Sequence, residues 1–238
     1  MKFSMRNTAI CVVSAVLFLV VSANLASAQK KKGRLRDATR HSQKASEVFT
    51  EIMNVRDKAI PQELLDKAEA IAVFPDVVKA AFIFGGKGGQ GVISKRTPNG
   101  WSAPAFFNLG GGSFGAQIGA TKTDYVLLIM NEAGLKGLLK DKFELGGEVG
   151  VAAGPVGREA AASTNLRMDA GILSYSRSKG AFIGAALKGA VISSDNDLNE
   201  AVYDMKGSEV LTNNSMSLNQ MPAGVRIFPR TLARYSPR

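Results

Sequence analysis

Glycine recurs inside segments that are otherwise apolar, and this pattern constrains the fold more than any other. The stretch Gly180–Ala190 (G-A-F-I-G-A-A-L-K-G-A) carries a small residue at most even positions, so one face of a strand here would be nearly bare. Glycine weakens a strand interior, and its repetition indicates tight sheet curvature or the close approach of a second backbone. We favour these causes over contact with a ligand, because several segments share the pattern.

The first 28 residues have the anatomy of a secretory leader. A basic start precedes an apolar stretch from Ala9 to Val21, and Ala26-Ser27-Ala28 matches the A-x-A cleavage signal. We expect cleavage after Ala28, a mature chain that starts at Gln29, and an exported protein of the periplasm or cell envelope. An uncleaved membrane anchor is the alternative, since residues 8–28 are almost long enough to span a bilayer. Cys11 is the only cysteine, so a mature chain would have no disulfide.

The formal charge of +10 is concentrated at the two ends of the chain. Residues 1–44 hold nine Lys and Arg against one acid, and residues 226–238 hold four Arg and no acid. The body between them holds 17 basic and 19 acidic residues, a net charge of −2. We therefore predict a basic arm over residues 29–44 and a polar, basic tail over residues 206–238. These ends, rather than the body, would meet an anionic surface.

The order of hydrophobic patterns predicts the fold class. Apolar residues recur at helical spacing from Ala45 to Met53, which predicts a helix that begins after the arm. Pro61 suits the first turn of a second helix, which we expect to end at Pro75. Strand-like segments separated by glycine turns follow from Val77, and Asn131 is expected to cap a short helix among them. Helices followed by strands predict an α+β fold, with N-terminal helices packed on a curved, glycine-rich, mostly antiparallel β-sheet.

Two glycine-rich stretches resemble nucleotide or catalytic motifs but lack their context. In residues 82–94, Lys87 is followed by Gly88 and a strand, whereas a phosphate-binding P-loop needs Ser or Thr and a helix. We predict a hairpin there, in which Lys87 is an exposed point charge. Residues 110–115 match G-x-G-x-x-G and G-x-S-x-G, but a strand-like segment follows where dinucleotide binding needs a helix. Ser113 lacks a downstream histidine, because His41 is the only histidine.

The composition leaves little room for metal or acid–base chemistry. His41 is expected to be a solvated helix residue, and without a second histidine or a mature cysteine nearly every zinc site is excluded. Glu144, Glu148 and Glu159 show no paired spacing that would predict general acid–base work. We expect no catalytic residue, no metal and no cofactor.

The basic arm, from Lys30 to Arg40, has three interpretations. It is a solvated tail, or it contacts an anionic membrane, where each Lys or Arg adds about 1 kcal/mol. Nucleic acid is the weaker third interpretation, because the body lacks a basic face with interleaved aromatic residues. We therefore expect no nucleic-acid partner.

Six ordered blocks between residues 45 and 205 carry a resemblance to a known family. They are K-A-E-A-I-A-V-F-P (67–75), F-x-F-G-G-x-G-G-x-G-V (82–92), N-G-W-S-A-P-A-F (99–106), G-A-Q-I-G-A-x-x-T-D (115–124), A-A-G-P-V-G-R (152–158) and S-Y-S-R-S-K-G-A-F-I-G-A-A-L-K-G-A (174–190). The chain resembles the SYLF domain family, also called the Ysc84 actin-binding or lipid-binding family. With its leader, it looks like an exported, bacterial-type, single-domain member.

The resemblance implies phospholipid binding, with a phosphoinositide preference in eukaryotic members and actin binding in some. The leader argues against actin as the partner, so anionic membrane lipids are expected. Since no short motif marks the family's lipid contacts, the candidates are chosen by charge: Lys30, Lys31, Lys32, Arg34, Arg36 and Arg40, and secondarily Lys87 and Arg158. The turn at residues 154–157 could present Arg158 to phosphate, or Arg158 could pair with an acid of the body. A non-enzymatic envelope scaffold without a lipid site is the alternative function.

Overall fold

A computed structural model of the chain describes residues 5–55, 59–81, 85–113, 119–147, 149–157, 170–178, 180–185 and 187–237, with only the backbone for 5–28, 80, 81, 85, 113 and 119. The described helices are α1 (Met5–Met53), α2 (Gln62–Lys67), α3 (Glu132–Leu138), α4 (Asn196–Tyr203), α5 (Gly207–Thr212) and α6 (Ile227–Tyr235). Short 3-10 helices span Leu218–Gln220 and Ala223–Val225. Among these residues, no helix is both long enough and apolar enough to cross a membrane.

The strands form one curled sheet. Their bounds are β1 (Ala70–Ala81), β2 (Gly85–Thr97), β3 (Gly100–Trp101), β4 (Ala105–Ser113), β5 (Gly119–Ile129), β6 (Lys142–Glu144), β7 (Val151–Ala153), β8 (Ile172–Ser178), β9 (Ala181–Gly184) and β10 (Val191–Ser194). The order across the sheet is β6-β10-β4-β2-β1-β5-β8-β7, with β3 on β2 and β9 on β8. Every named pair is antiparallel except β7 with β8. The predicted α+β class with a mostly antiparallel sheet is confirmed.

The central hairpin of β1 and β2 differs from the sequence prediction at both of its strands. β1 begins at Ala70 and runs through Pro75, where the sequence predicts the end of a helix. Proline is tolerated because β1 bulges there: Asp76 has a φ of 51°, and its N–H donates to Asp124 Oδ1 at 2.8 Å. The predicted hairpin is confirmed, but the glycines after Gly85 belong to strand β2 rather than to a loop. Residues 82–84 lie outside the described residues.

Several glycines are required by close contacts. A Cβ on Gly184 would lie 2.0 Å from the backbone oxygen of Gly154, and a Cβ on Gly154 would lie 2.1 Å from Tyr175 Cζ. On β2, a Cβ on Gly91 would lie 2.4 Å from Phe74 Cδ1. The missing side chains therefore admit a neighbouring backbone at Gly184 and Gly91 and an aromatic ring at Gly154 and Gly91. Close approach of a second backbone is one of the causes that the sequence indicates.

The packed part of α1 begins earlier than the sequence predicts. The sequence places the first apolar stripe at Ala45, but the buried side of α1 already includes Ala38 and Ser42. Further along, the Phe49 ring meets the Tyr235 ring edge-on, with centroids 5.8 Å apart. Residues 29–44 are therefore not a separate arm but the middle of one helix. Small residues such as Ala38 and Ser42 give only a weak hydrophobic signal, which explains the error.

The C-terminal segment packs on the body, although the sequence predicts a polar tail. Val225, Phe228 and Leu232 are fully buried, and Trp101 Nε1 donates to the Ser236 carbonyl oxygen at 3.2 Å. The arginines at 226, 230 and 234 recur every four residues, and Phe228 and Leu232 share the same spacing. The four-residue spacing therefore indicates a helix with a basic side and an apolar side. The overall composition of the segment shows only the basic residues.

Candidate functional site

The six candidate cations of the N-terminal segment all lie on α1. Lys32, Arg36 and Arg40 are spaced four residues apart, so they follow one side of the helix, and all three are exposed. We call these three the outer row. Lys30, Lys31 and Arg34 turn toward α4, and we call them the inner group.

The inner group faces acids. With Asp197 and Glu200 of α4, its side chains line a cleft of about 360 Å³. Arg34 Nη2 lies 3.5 Å from Asp197 Oδ2, and the Asp197 side chain is largely exposed. An exposed pair of this kind contributes at most about 1 kcal/mol, but it reduces the positive charge that the cleft offers to an anion. The inner group is thus partly neutralised.

The outer row keeps most of its charge. Arg40 pairs with Asp37 one turn earlier, at 2.9 Å. Within the described part of the chain, Lys32 and Arg36 form no salt bridge. Both are exposed, because Arg36 lies about 160° and Lys32 about 120° around the helix from the buried Ala38 at 3.6 residues per turn. The same packing that buries Ala38 therefore holds this row toward solvent.

A second group of cations lies on the β1–β2 hairpin. Lys87, predicted as an exposed point charge, is half-buried, and Lys79 is its direct cross-strand partner. Burial lowers the pKa of Lys87, and the positive charge of Lys79 lowers that pKa further. Sequence analysis missed Lys79, because it placed Lys87 in the turn between two shorter strands, whereas the observed register pairs Lys79 with Lys87. Arg158, the last candidate, lies outside the described residues.

A cleft of about 440 Å³ lies between α1 and the hairpin, and Arg40 of the outer row lines it together with the paired Lys44 and Asp76. His41 and Lys44 of α1 line it together with Asp76 and Gly89. His41 is partly buried rather than solvated as the sequence predicts, and burial lowers its pKa. The Asp76 carboxylate accepts a short hydrogen bond from Lys44 Nζ, which lowers the pKa of Asp76. This cleft joins α1 to the β1 bulge and offers little free charge.

The described residues show no group of three His, Cys, Asp or Glu side chains that could hold a metal ion. Glu144 lies on β6, whereas Glu148 and Glu159 lie outside the described residues. The glycines at 110–112 belong to strand β4 rather than to the start of a helix. The context that a dinucleotide motif requires is therefore missing at these three positions.

Comparisons with known proteins agree on one family. A family model described as Ysc84, Las17-binding protein actin regulator, matches residues 110–235. LAS seventeen-binding protein 3 of Saccharomyces cerevisiae is 36% identical over 151 residues, 62% of this chain and 33% of that protein. SH3 domain-containing YSC84-like protein 1 of Homo sapiens is 32% identical over 183 residues, 74% of this chain and 53% of that protein.

The Xenopus laevis protein of the same name is 33% identical over 184 residues, 74% of this chain and 55% of that protein. The chain thus spans from a third to about half of the length of these relatives. The family model covers more than half of the chain, including the helices α4 to α6. The chain belongs to the Ysc84 family.

Proposed function

We propose that this chain is a binding module for anionic phospholipid surfaces, and that the outer row of α1 makes the contact. The observation that supports this most is the pair Lys32 and Arg36, one helical turn apart, exposed, and without a salt bridge within the described residues. Each such cation contributes about 1 kcal/mol near an anionic leaflet. Exposed charges are screened over about 8 Å at physiological salt, so binding should weaken as salt rises.

The helix presents these cations in a fixed arrangement. Phe49 and Ile52 are fully buried, which anchors α1 to the body, and Ala38 brings the anchored part within two residues of Arg36. A side chain on an anchored helix loses less conformational freedom on binding than one on a disordered arm. Leu35, which is exposed three residues after Lys32, adds an apolar group next to the row.

The cellular context forms part of the proposal. The leader-like first 28 residues support export to the periplasm or cell envelope, and a phosphoinositide-like head group is the lipid that the family resemblance favours. In that setting the partner is an anionic membrane leaflet rather than actin.

The test is vesicle sedimentation of the full chain carrying Lys32→Gln and Arg36→Gln together. Vesicles of phosphatidylcholine with phosphatidylglycerol should bind this variant about 2 kcal/mol more weakly, or about 30-fold, since two cations are lost. Vesicles of phosphatidylcholine alone measure any contribution that does not depend on anionic lipid.

The matched control is Lys136→Gln with Lys142→Gln, which removes the same charge from exposed positions on α3 and β6. It should bind like the wild type. If the outer-row variant binds anionic vesicles as tightly as the wild type, the proposal is contradicted. An equal loss in the control would show that only net charge matters.

A second candidate is a protein-binding regulator, because the family description names an actin regulator and one relative is named as a LAS seventeen-binding protein. The outer row would suit an acidic protein surface as well as an anionic membrane. Co-sedimentation with actin filaments, using the same variant and control, tests this candidate. A chain that binds neither vesicles nor filaments would favour the envelope scaffold without a lipid site.

A further inference from the structure

Two lysines face each other across the β1–β2 hairpin. Lys79 and Lys87 are direct partners in the antiparallel register, and Cβ atoms of such partners lie about 4.5–5.5 Å apart. Like charges in this position destabilise a sheet. Among the described residues, no carboxylate lies within salt-bridge distance of either lysine. The pair therefore carries an unfavourable interaction that a bound anion would relieve.

The surroundings of Lys87 strengthen this effect. Its direct partner on β4 is Gly111, and a Cβ there would lie 3.0 Å from Lys87 Cε and 3.3 Å from the Gly189 backbone oxygen. The Lys87 side chain thus lies over bare backbone and is half-buried. Ionic interactions are stronger where water is partly excluded, and burial lowers the pKa of Lys87 for the same reason. A side chain at position 111 would collide with Lys87.

The row continues on the other side of Lys79. Thr121 of β5 is the direct partner of Lys79, and it is exposed. Direct partners point to the same face of a sheet, so Thr121, Lys79, Lys87 and Gly111 form one row across four strands. The row offers a hydroxyl donor, two ammonium groups and one position without a side chain.

We propose that this row binds a phosphate monoester group. A phosphate monoester carries a charge of about −1.5 to −2 at pH 7, which balances two ammonium groups. A phosphate diester carries one charge and would leave one lysine uncompensated. Thr121 adds a neutral donor, and the missing side chain at Gly111 leaves room for the Lys87 side chain to lie along β4. The site is separate from the outer row and favours a terminal phosphate over a diester.

The phosphate has two possible sources, a lipid head group or a soluble phosphate compound. For a lipid head group, the inference rests on the proposed function, because α1 would then bring the hairpin to the membrane. For a soluble compound, no membrane is needed. The shared chemistry is the phosphate monoester, and two experiments separate the sources.

The first experiment titrates the full chain with inorganic phosphate and follows the backbone amide resonances by NMR. We expect saturable shifts at Lys79, Lys87 and Gly111, and at least a tenfold loss of affinity in Lys79→Gln and Lys87→Gln. The control Lys122→Gln removes the same charge from β5, where Lys122 is the partner of Val78 and lies outside the row. It should titrate like the wild type. Shifts that are absent, or an affinity unchanged in both variants, would overturn the proposal.

Thermal unfolding of the same proteins tests whether the variants are folded. Without phosphate, Lys87→Gln should be at least as stable as the wild type, because the repulsion from Lys79 is removed. Phosphate should raise the melting temperature of the wild type and of Lys122→Gln, but not that of Lys87→Gln. An equal rise in all three proteins would mean that phosphate acts elsewhere.

The second experiment compares vesicles of phosphatidic acid, a monoester, with vesicles of phosphatidylglycerol, a diester, at matched surface charge. The wild type should prefer phosphatidic acid, and Lys79→Gln with Lys87→Gln should reduce binding to the level seen with phosphatidylglycerol. The outer-row variant should weaken binding to both lipids.

The two hypotheses fail separately. NMR shifts with phosphate but no effect of the outer-row variant would refute the membrane proposal and leave a site for a soluble phosphate compound. No shifts with phosphate, together with a clear effect of the outer-row variant, would refute this site and leave the membrane proposal intact.

Discussion

Replacing Asp124 with alanine should destabilise the fold more than any exposed charge change. Asp124 Oδ2 accepts from Arg177 Nε at 2.9 Å and from Arg177 Nη2 at 2.8 Å. The other oxygen, Oδ1, accepts the Asp76 N–H at the β1 bulge. Arg177 also donates to Glu51 near the end of α1. One carboxylate thus links β5, β8, the bulge and, through Arg177, the helix that presents the outer row.

The size of the effect follows from burial. The Asp124 and Arg177 side chains are 15% and 22% exposed, so the pair is largely withdrawn from water. Removing one partner of a buried pair costs about 3–5 kcal/mol. Because Glu51 still compensates Arg177, we place Asp124→Ala at the lower end, about 3 kcal/mol. For a domain of this size, that corresponds to a fall in melting temperature of about 6–12 °C.

Urea unfolding followed by far-UV circular dichroism measures this loss. The control is Glu132→Ala, which breaks the exposed pair with Lys136 on α3 and should cost about 0.3–0.5 kcal/mol. Adding Arg177→Ala to Asp124→Ala should cost less than the sum of the two single losses, because the two side chains form one pair. A loss below about 1 kcal/mol for Asp124→Ala would refute the role assigned to this pair.

Three further predictions concern the glycines and the bulge. Gly33→Ala should stabilise the protein in urea unfolding by up to about 1 kcal/mol, because a Cβ at Gly33 meets no atom within 4 Å; unchanged stability would favour a disordered arm. Gly184→Ala should cost about 1–3 kcal/mol in urea unfolding, since its Cβ would overlap the Gly154 carbonyl, and a neutral result would contradict that close approach. The hydrogen bond with Lys44 lowers the pKa of Asp76. The contribution of Asp76 to the free energy of unfolding is therefore present above its unfolded-state pKa near 4, and it is lost as the pH falls through the lower folded-state pKa. Asp76→Asn should therefore flatten the stability profile below about pH 4, and an unaltered acid limb would exclude this pair as its cause.

Local signals were sufficient where neighbouring residues alone set the geometry. The sequence predicts Asn131 as a helix cap, and Asn131 Oδ1 accepts the Gly134 N–H at 3.0 Å. The hairpin that contains Lys87 is likewise confirmed. Caps and turns depend on a few adjacent residues, so their patterns appear in the sequence itself. The same holds for the overall α+β order of helices and strands.

The sequence did not show which residues of α1 and of the C-terminal helix are buried against the body. The sequence gives no sign that Ala38 and Ser42 lie on the buried side of α1, because small residues contribute little to a hydrophobic stripe. Phe228 and Leu232 are hidden in a segment whose arginines dominate its composition. In each case the burial depends on a surface supplied by a distant part of the chain, such as the contact between Phe49 and Tyr235.

Only the tertiary structure decided which cations can act together. Before the bulge, Val73 of β1 pairs with Val92 of β2. If this register continued along the two strands, Lys79 would pair with Gly86. The bulge beside Asp76 shifts the register by one residue and pairs Lys79 with Lys87 instead. A shift of one residue moves every later side chain of a strand to the other face of the sheet. The sequence determined the charges and the glycines, but this bulge, held by a carboxylate on another strand, determined where they meet.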